Sequence, residues 1–234
     1  MAIRYWFKWN GTRSDAKNII MNAPVPIIKP EERVGHITIP GRAGELTVTE
    51  GDDIWQSYIQ TVGIAVNGAA NVPDVENWLK GEGNVIFHCQ PGLQQAARVI
   101  GAVTLEKHSA HLDWWEGDVQ FYCSPIKRDP TETTIEVTSS GATINNPGDM
   151  DAFPLIEVTG SGAITVSCGG NVLSIPSCTS GWVIDSENEW ILASGVPIGG
   201  VCSGDFPVLR KGSNTLAFTG SITKLTVTPR FRYL

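Results

Sequence analysis

The sequence predicts a mainly β protein of two domains. Residues 1–130 form an N-terminal β-sandwich-like domain with one short helix, and residues 131–234 form a C-terminal β-sandwich. Three observations carry this reading. Short runs rich in β-branched and aromatic residues recur along the whole chain, separated by Gly, Pro, Asn and Ser clusters, which is the punctuation of strands and turns. Only one stretch, NVPDVENWLKGEG, has marked helical spacing. The texture changes around Ser124–Asn146, where Pro125, Pro130 and Ser139-Ser140-Gly141 mark a passage between domains.

Taken in order, Ile3–Trp9 reads as a strand that stops at the turn dipeptide Asn10-Gly11. His36–Ile39 and Glu45–Thr49 alternate polar and apolar, the pattern of half-buried strands, around the tip Pro40–Gly44. That tip has the wrong glycine spacing for a phosphate loop, no Lys-Ser/Thr after Gly44 and a strand rather than a helix beyond it, so it is a hairpin turn with Arg42 at its apex. Asp52–Tyr58 places Ile54, Trp55 and Tyr58 on one side of a short helix, or equally leads into a strand. The helix near 73–80 has Pro73 at its first position, Asp74 and Glu76 in the first turn, Val75, Trp78 and Leu79 on one face, and Gly81 as its stop. Gly83–Cys89, Arg98–Leu105 and Asp118–Cys123 complete the first domain. In the second, Thr134–Thr138 is a strand. Leu155–Thr159 and Ala163–Val166 flank Gly160-Ser161-Gly162 as a tight hairpin, and Trp182–Asp185 and Glu189–Leu192 flank Ser186–Asn188 as another. Thr215–Thr219 and Leu225–Phe231 close the chain.

The formal charge of −7 and scattered basic residues argue against nucleic-acid recognition, which needs clustered Lys and Arg. No apolar run reaches bilayer length, so membrane insertion is not expected. MAIRYWFKWN lacks the parts of a signal peptide, which predicts synthesis and folding in a cytoplasm. Cys89, Cys123, Cys168, Cys178 and Cys202 are odd in number, without a CxxC, and read as small buried hydrophobes; a Cys168–Cys178 bridge is the less fitting alternative. His108 and His111, with His88-Cys89, lack partners at zinc spacing. The acidic groups Asp52/Asp53, Asp149/Asp151 and Asp185/Glu187/Glu189 offer no glycosidase signature, and the last set brackets a turn where acids are simply solvated. No nucleophile motif is present, so neither catalysis nor a cofactor or metal is expected. Eight tryptophans are many for this length. They serve as core or subunit-interface anchors, or, in the case of Trp182 and Trp190, as saccharide-stacking groups.

An ordered set of motifs resembles the distal tail protein (Dit) family of long-tailed, siphovirus-type phages. It comprises the aromatic N-terminal strand, P-G-R-x-G at Pro40–Gly44, the helix near Val72–Lys80 and F-x-C-x-P-x-K at Phe121–Lys127. It continues with N-P-G-D-M-D-A-F-P-L-I-E-V-T-G-S-G at Asn146–Gly162, V-I-D-S-E at Val183–Glu187, L-R-K-G-S-N-T-L at Leu209–Leu216 and T-P-R-F-R at Thr228–Arg232. The resemblance covers nearly the whole chain and implies a structural hub. Such proteins form a hexameric ring at the distal end of the virion tail, joining the tail tube protein to the tip or baseplate proteins. The N-terminal domain builds the ring, and a galectin-like C-terminal domain projects outward and can hold a receptor-binding protein. It makes Gly41, Arg42, Gly44 and Trp78 the candidate subunit or partner interface. Longer relatives carry carbohydrate-binding insertions, for which this chain has little room. A host-saccharide-binding module using Trp182 or Trp190 is the alternative, and a wall-degrading tail enzyme a third.

Overall fold

The computed structural model describes residues 5–49, 51 and 53–234. They divide into two compact units, one up to Lys127 (with Leu234) and one from Arg128 to Tyr233. Among the described residues, no helix is long and apolar enough to cross a membrane.

The first unit contains β1 (Phe7–Trp9), β2 (Thr12–Arg13), β3 (Ile19–Met21), β4 (Val34–Thr38), β5 (Glu45–Thr49), β6 (Tyr58–Asn67), helix α1 (Val72–Trp78), β7 (Glu82–Phe87), β8 (Gln94–Lys107) and β9 (Trp114–Arg128). Seven of these strands make one sheet in the order β2-β1-β7-β8-β9-β6-β3, while β4 and β5 pair only with each other. Alternation sets the core. Val62, Ile64 and Val66 of β6 meet Val119 and Phe121 of β9 on the buried face, where Phe121 also receives the rings of Phe7, Trp9 and Phe87 at 5.4–5.9 Å between centroids. Helix α1 lays Val75 and Leu79 on this core and stacks Trp78 on Phe7 at 5.6 Å. The helix ends at Trp78 with Leu79 as its C-cap, two residues before the predicted 80, and Gly81 beyond it turns left-handed at φ 75°.

The opening strand is shorter than its apolar run. Ile3 and Arg4 lie outside the described residues, and pairing begins at Phe7. Asn10 and Gly11 both adopt positive φ, as an Asn-Gly hairpin turn requires. Asp52 also lies outside the described residues. Of the two readings of that stretch, the strand approach is the one observed: Trp55 bridges to Glu32 and Tyr58 opens β6.

The second unit contains β10 (Ile135–Val137), β11 (Ala142–Asn146), β12 (Leu155–Cys168), β13 (Asn171–Cys178), β14 (Trp182–Asp185), β15 (Trp190–Ala193), β16 (Val196–Ile198), β17 (Ser203–Gly204) and β18 (Gly212–Thr228). Two strands organise it. β12 runs for 14 residues and β18 for 17, paired antiparallel almost throughout. The first half of β12 pairs with β14, which leads on to β15 and β16; its second half pairs with β13, which leads on to β17. β18 splits likewise between β10 and β11. The two layers of the sandwich are therefore two halves of one bent ribbon, closed over Ile156, Val158, Ile164, Val166, Leu173, Ile184 and Leu225.

This corrects the predicted hairpin at Gly160-Ser161-Gly162. The segment lies inside β12, where the register against β18 shifts. The glycines serve the bend rather than a turn. A Cβ on Gly160 would stand 2.4 Å from the Ser221 carbonyl oxygen, and one on Gly220, at φ 94°, would stand 2.3 Å from that of Ala163. The same bend merges the two predicted C-terminal strands into β18. Gly220→Val is expected to prevent the second unit from packing: in thermal unfolding followed by near-ultraviolet circular dichroism, its transition should be lost while that of the first unit persists.

All five cysteines are free thiols. Cys123, Cys168 and Cys178 are buried, as expected of small hydrophobes, and burial pushes the Cys123 thiol up to about 12 and that of Cys168 to about 11.

Candidate assembly surface

The ribbon formed by β4 and β5 is an insertion between β3 and β6. Its register pairs Val34 with Thr49, Gly35 with Val48, Ile37 with Leu46 and Thr38 with Glu45. Pairing continues towards the sheet through Arg33 N–H to the Ile54 carbonyl (2.9 Å) and Gln56 N–H to the Glu31 carbonyl (2.8 Å). At the tip, Arg42 N–H donates to the Ile39 carbonyl (3.1 Å), and Gly41 and Gly44 take φ of 81° and 82°. Pro40–Gly44 is thus the hairpin tip the sequence predicts.

The strands are not half-buried, however. Alternation gives the ribbon one polar face, with His36, Thr38, Glu45 and Thr47, and one apolar face, with Ile37, Leu46 and Val48. The apolar side chains are 50%, 41% and 41% exposed, because nothing among the described residues covers them. A two-stranded ribbon alone is marginal in water, and an uncovered apolar face marks an interaction surface. Arg42 is exposed at the apex and makes no ion pair among the described residues.

The other candidates are placed separately. Trp78 is partly buried, its ring spent on Phe7. Trp182 opposes Ala193, and Trp190 opposes Asp185. The register therefore puts the two tryptophans on opposite faces of the sheet, Trp182 against the core and Trp190 outward at 50% exposure. They do not form one stacking platform. Among the described residues, no group of three or more His, Cys, Asp or Glu side chains is arranged to hold a metal. His108 instead contacts Glu116 at 3.0 Å.

In the acidic turn after β14, Glu187 and Glu189 are exposed as expected, but Asp185 is not. Asp185 is 5% exposed. Its Oδ1 accepts from Arg230 Nη1 at 2.7 Å and from the N–H groups of Glu187 and Asn188, and its Oδ2 accepts from Asn188 Nδ2 at 2.9 Å. Burial alone would raise its pKa, but the Arg230 hydrogen bond and charge and the Asn188 donors outweigh burial and hold it below the usual carboxylate range. Glu187 pairs with Arg128 and, at 3.3 Å, with Arg230. Glu132 accepts the Phe231 N–H at 2.9 Å.

The neighbouring motifs meet in the same way. Asp149 N–H donates to the Arg232 carbonyl (2.9 Å), and Gly148 packs so closely on that carbonyl that a Cβ would stand 2.4 Å away. Asp151 accepts from Arg210 Nη1 (2.7 Å) and the Lys211 N–H. Asn146 Nδ2 donates to the carbonyls of Met150 and Leu209, both at 2.9 Å. The four motifs of the second unit are thus two clamps that tie its first residues and its last strand to the sandwich. Sequence reasoning missed this because each polar partner lies tens of residues away, although the recurrence of Asp and Arg in those motifs was a usable sign.

No protein-family model and no curated protein matches the chain. The crystal structure of SPP1 Dit does. It is described as a paradigm of the hub adsorption apparatus in phages infecting Gram-positive bacteria. It superposes with a TM-score of 0.76 at 16% sequence identity, covering 98% of this chain and 99% of that one. The fold is that of SPP1 Dit. Both units and the connection between them fall within the matched length, so the Dit likeness is not confined to a shared sandwich.

Proposed function

We propose that this chain is the structural hub of a phage tail. Six copies close into a ring at the distal end of the virion tail, between the tail tube protein and the tip or baseplate proteins. The first unit, which spans most of residues 1–130, builds the ring, and the second, within 131–234, faces outward as a docking platform for adhesion components, including a receptor-binding protein. The observation that carries the reading is the ribbon: β4 and β5 pair only with each other, yet they hold an apolar face and a cationic tip out to solvent. The Dit fold supports the same role. Gly41 and Gly44 shape the tip, Arg42 supplies its charge, and no chemical step is asked of any residue.

Light scattering with negative-stain imaging of the same peak tests the proposal. The expected result is a ring-shaped particle of about six times 25.2 kDa. A protein that stays at one copy at every concentration and also fails to bind the tube protein of the same virion would overturn it.

A further inference from the structure

The seven-stranded sheet ends on a strand edge that the described residues leave open. β3 covers β6 only at Ile64–Val66, flanked on one side by a bond from Asn67 N–H to the Asn18 carbonyl at 3.4 Å and on the other by a bond from Asn22 N–H to the Gly63 carbonyl at 3.1 Å. The Asn22 bond fixes the orientation of the rest. Backbone groups alternate along a strand, so the N–H and C=O of Thr61 and Ile59 point the same way as the Gly63 carbonyl. Among the described residues no other strand pairs with them, and the one bond there is local, from Gln60 Nε2 to the Thr61 carbonyl at 3.4 Å. An unpaired edge of this kind is a template for another strand.

The surroundings of the edge are specific. Ile59 and Tyr122 oppose each other across β6 and β9 and are both about half exposed, so an apolar pair borders it. Further along the same face, Asp118 lies opposite Gly63 and Glu116 opposite Ala65. With Asn22, Thr104 and Glu106 they line an open recess of about 530 Å³. Glu116 holds His108, whereas Glu106 and Asp118 have no ion pair among the described residues.

We infer that this edge receives β5 from a second copy of the chain, an inference that rests on the ring reading above. β5 is an edge strand five residues long, and the open stretch of β6, Tyr58–Val62, matches it. Laid antiparallel, β5 sets Leu46 and Val48 on the face that carries Ile59 and Tyr122, so apolar surface covers apolar surface. The same direction carries the ribbon tip past Gly63 to the recess, where Arg42 meets Glu106 and Asp118. Backbone pairing, apolar cover and charge agree on one occupant, which the chain itself supplies. Donor and acceptor are different surfaces, so the contact is head-to-tail, the kind a closed ring requires, rather than that of a two-fold dimer.

The test places a benzophenone amino acid at position 48 in a mixture of ¹⁵N-labelled and unlabelled full-length protein, and maps the cross-links by mass spectrometry. Mixed-isotope links to residues 58–62 or 118–122 are expected. In a second arm, Arg42→Glu should raise the concentration for half-assembly about tenfold. Adding Glu106→Arg and Asp118→Arg to that variant should restore it, with thermal unfolding unchanged throughout. Mixed-isotope links elsewhere, in a six-copy particle, would overturn this inference and leave the ring standing. Failure of the charge swap to restore assembly would remove the tip from the recess. A single-copy mass at every concentration, with no mixed-isotope links, would overturn both readings.

Discussion

Replacing Leu46 and Val48 together with aspartate is expected to abolish self-assembly and leave each copy folded. Both side chains stand on the exposed face of the ribbon, so in the single copy the change is a surface one, within about 0.5 kcal/mol of neutral. In an assembled ring the same positions are covered. Each aspartate would then be buried without a partner, at a cost of several kcal/mol. That cost recurs at every interface of a closed ring, so no partial assembly escapes it. Light scattering should give about 25.2 kDa for the variant under conditions where the proposed ring would give the parent protein about six times that mass. The unfolding midpoint should move by no more than a degree or two. A variant that assembles like the parent would show that the ribbon's apolar face is not the contact.

Removing the Asp185 carboxylate should have the largest effect on stability. Asp185→Ala leaves Arg230, whose side chain is 20% exposed, without its closest partner, and leaves the N–H groups of Glu187 and Asn188 without an acceptor. Breaking a buried pair from one side costs about 3 kcal/mol or more, roughly 10–20 °C in the midpoint of a domain of this size. The effect depends on pH. Because the folded-state pKa of Asp185 is depressed, its contribution is present in full above the unfolded value of about 4 and is lost as pH falls through the lower folded value. Glu132 works in the opposite sense. Burial raises its pKa against the donors from Phe231 and Arg230, so folding disfavours its ionised form and protonation on acidification relieves that cost. Asp185→Asn, which keeps the shape, should therefore be well below the parent in midpoint at pH 7 and converge with it only as pH falls through the depressed folded-state value. A difference at pH 7 of less than about 2 °C would show that the clamp adds little.

The elements that sequence located were those whose signal is local. Asn10-Gly11, the start and stop of α1, the Pro40–Gly44 tip and the Trp182–Ala193 hairpin each depend on residues within a few positions of one another. Where it misplaced an element, a distant partner decided. Gly160-Ser161-Gly162 has hairpin composition, but β18 runs alongside it and turns those glycines into the bend of a continuous strand. Asp185 and Glu187 look like the acids of a solvated turn until Arg230 reaches the first from 45 residues away and Arg128 the second from 59; the separation hides a pairing that geometry makes plain.

By itself the sequence determined a β protein in two parts, with one short helix, buried thiols and a hairpin with a glycine-shaped tip. Period-2 alternation, capping and turn chemistry are written in neighbouring residues, so these needed no fold to be read. Only the tertiary structure decided which alternating faces are covered. The pattern of β4 and β5 is the same as that of a strand packed on a core, but among the described residues no layer lies over Ile37, Leu46 and Val48. Alternation records that a face is apolar; whether anything covers it depends on where the rest of the chain goes.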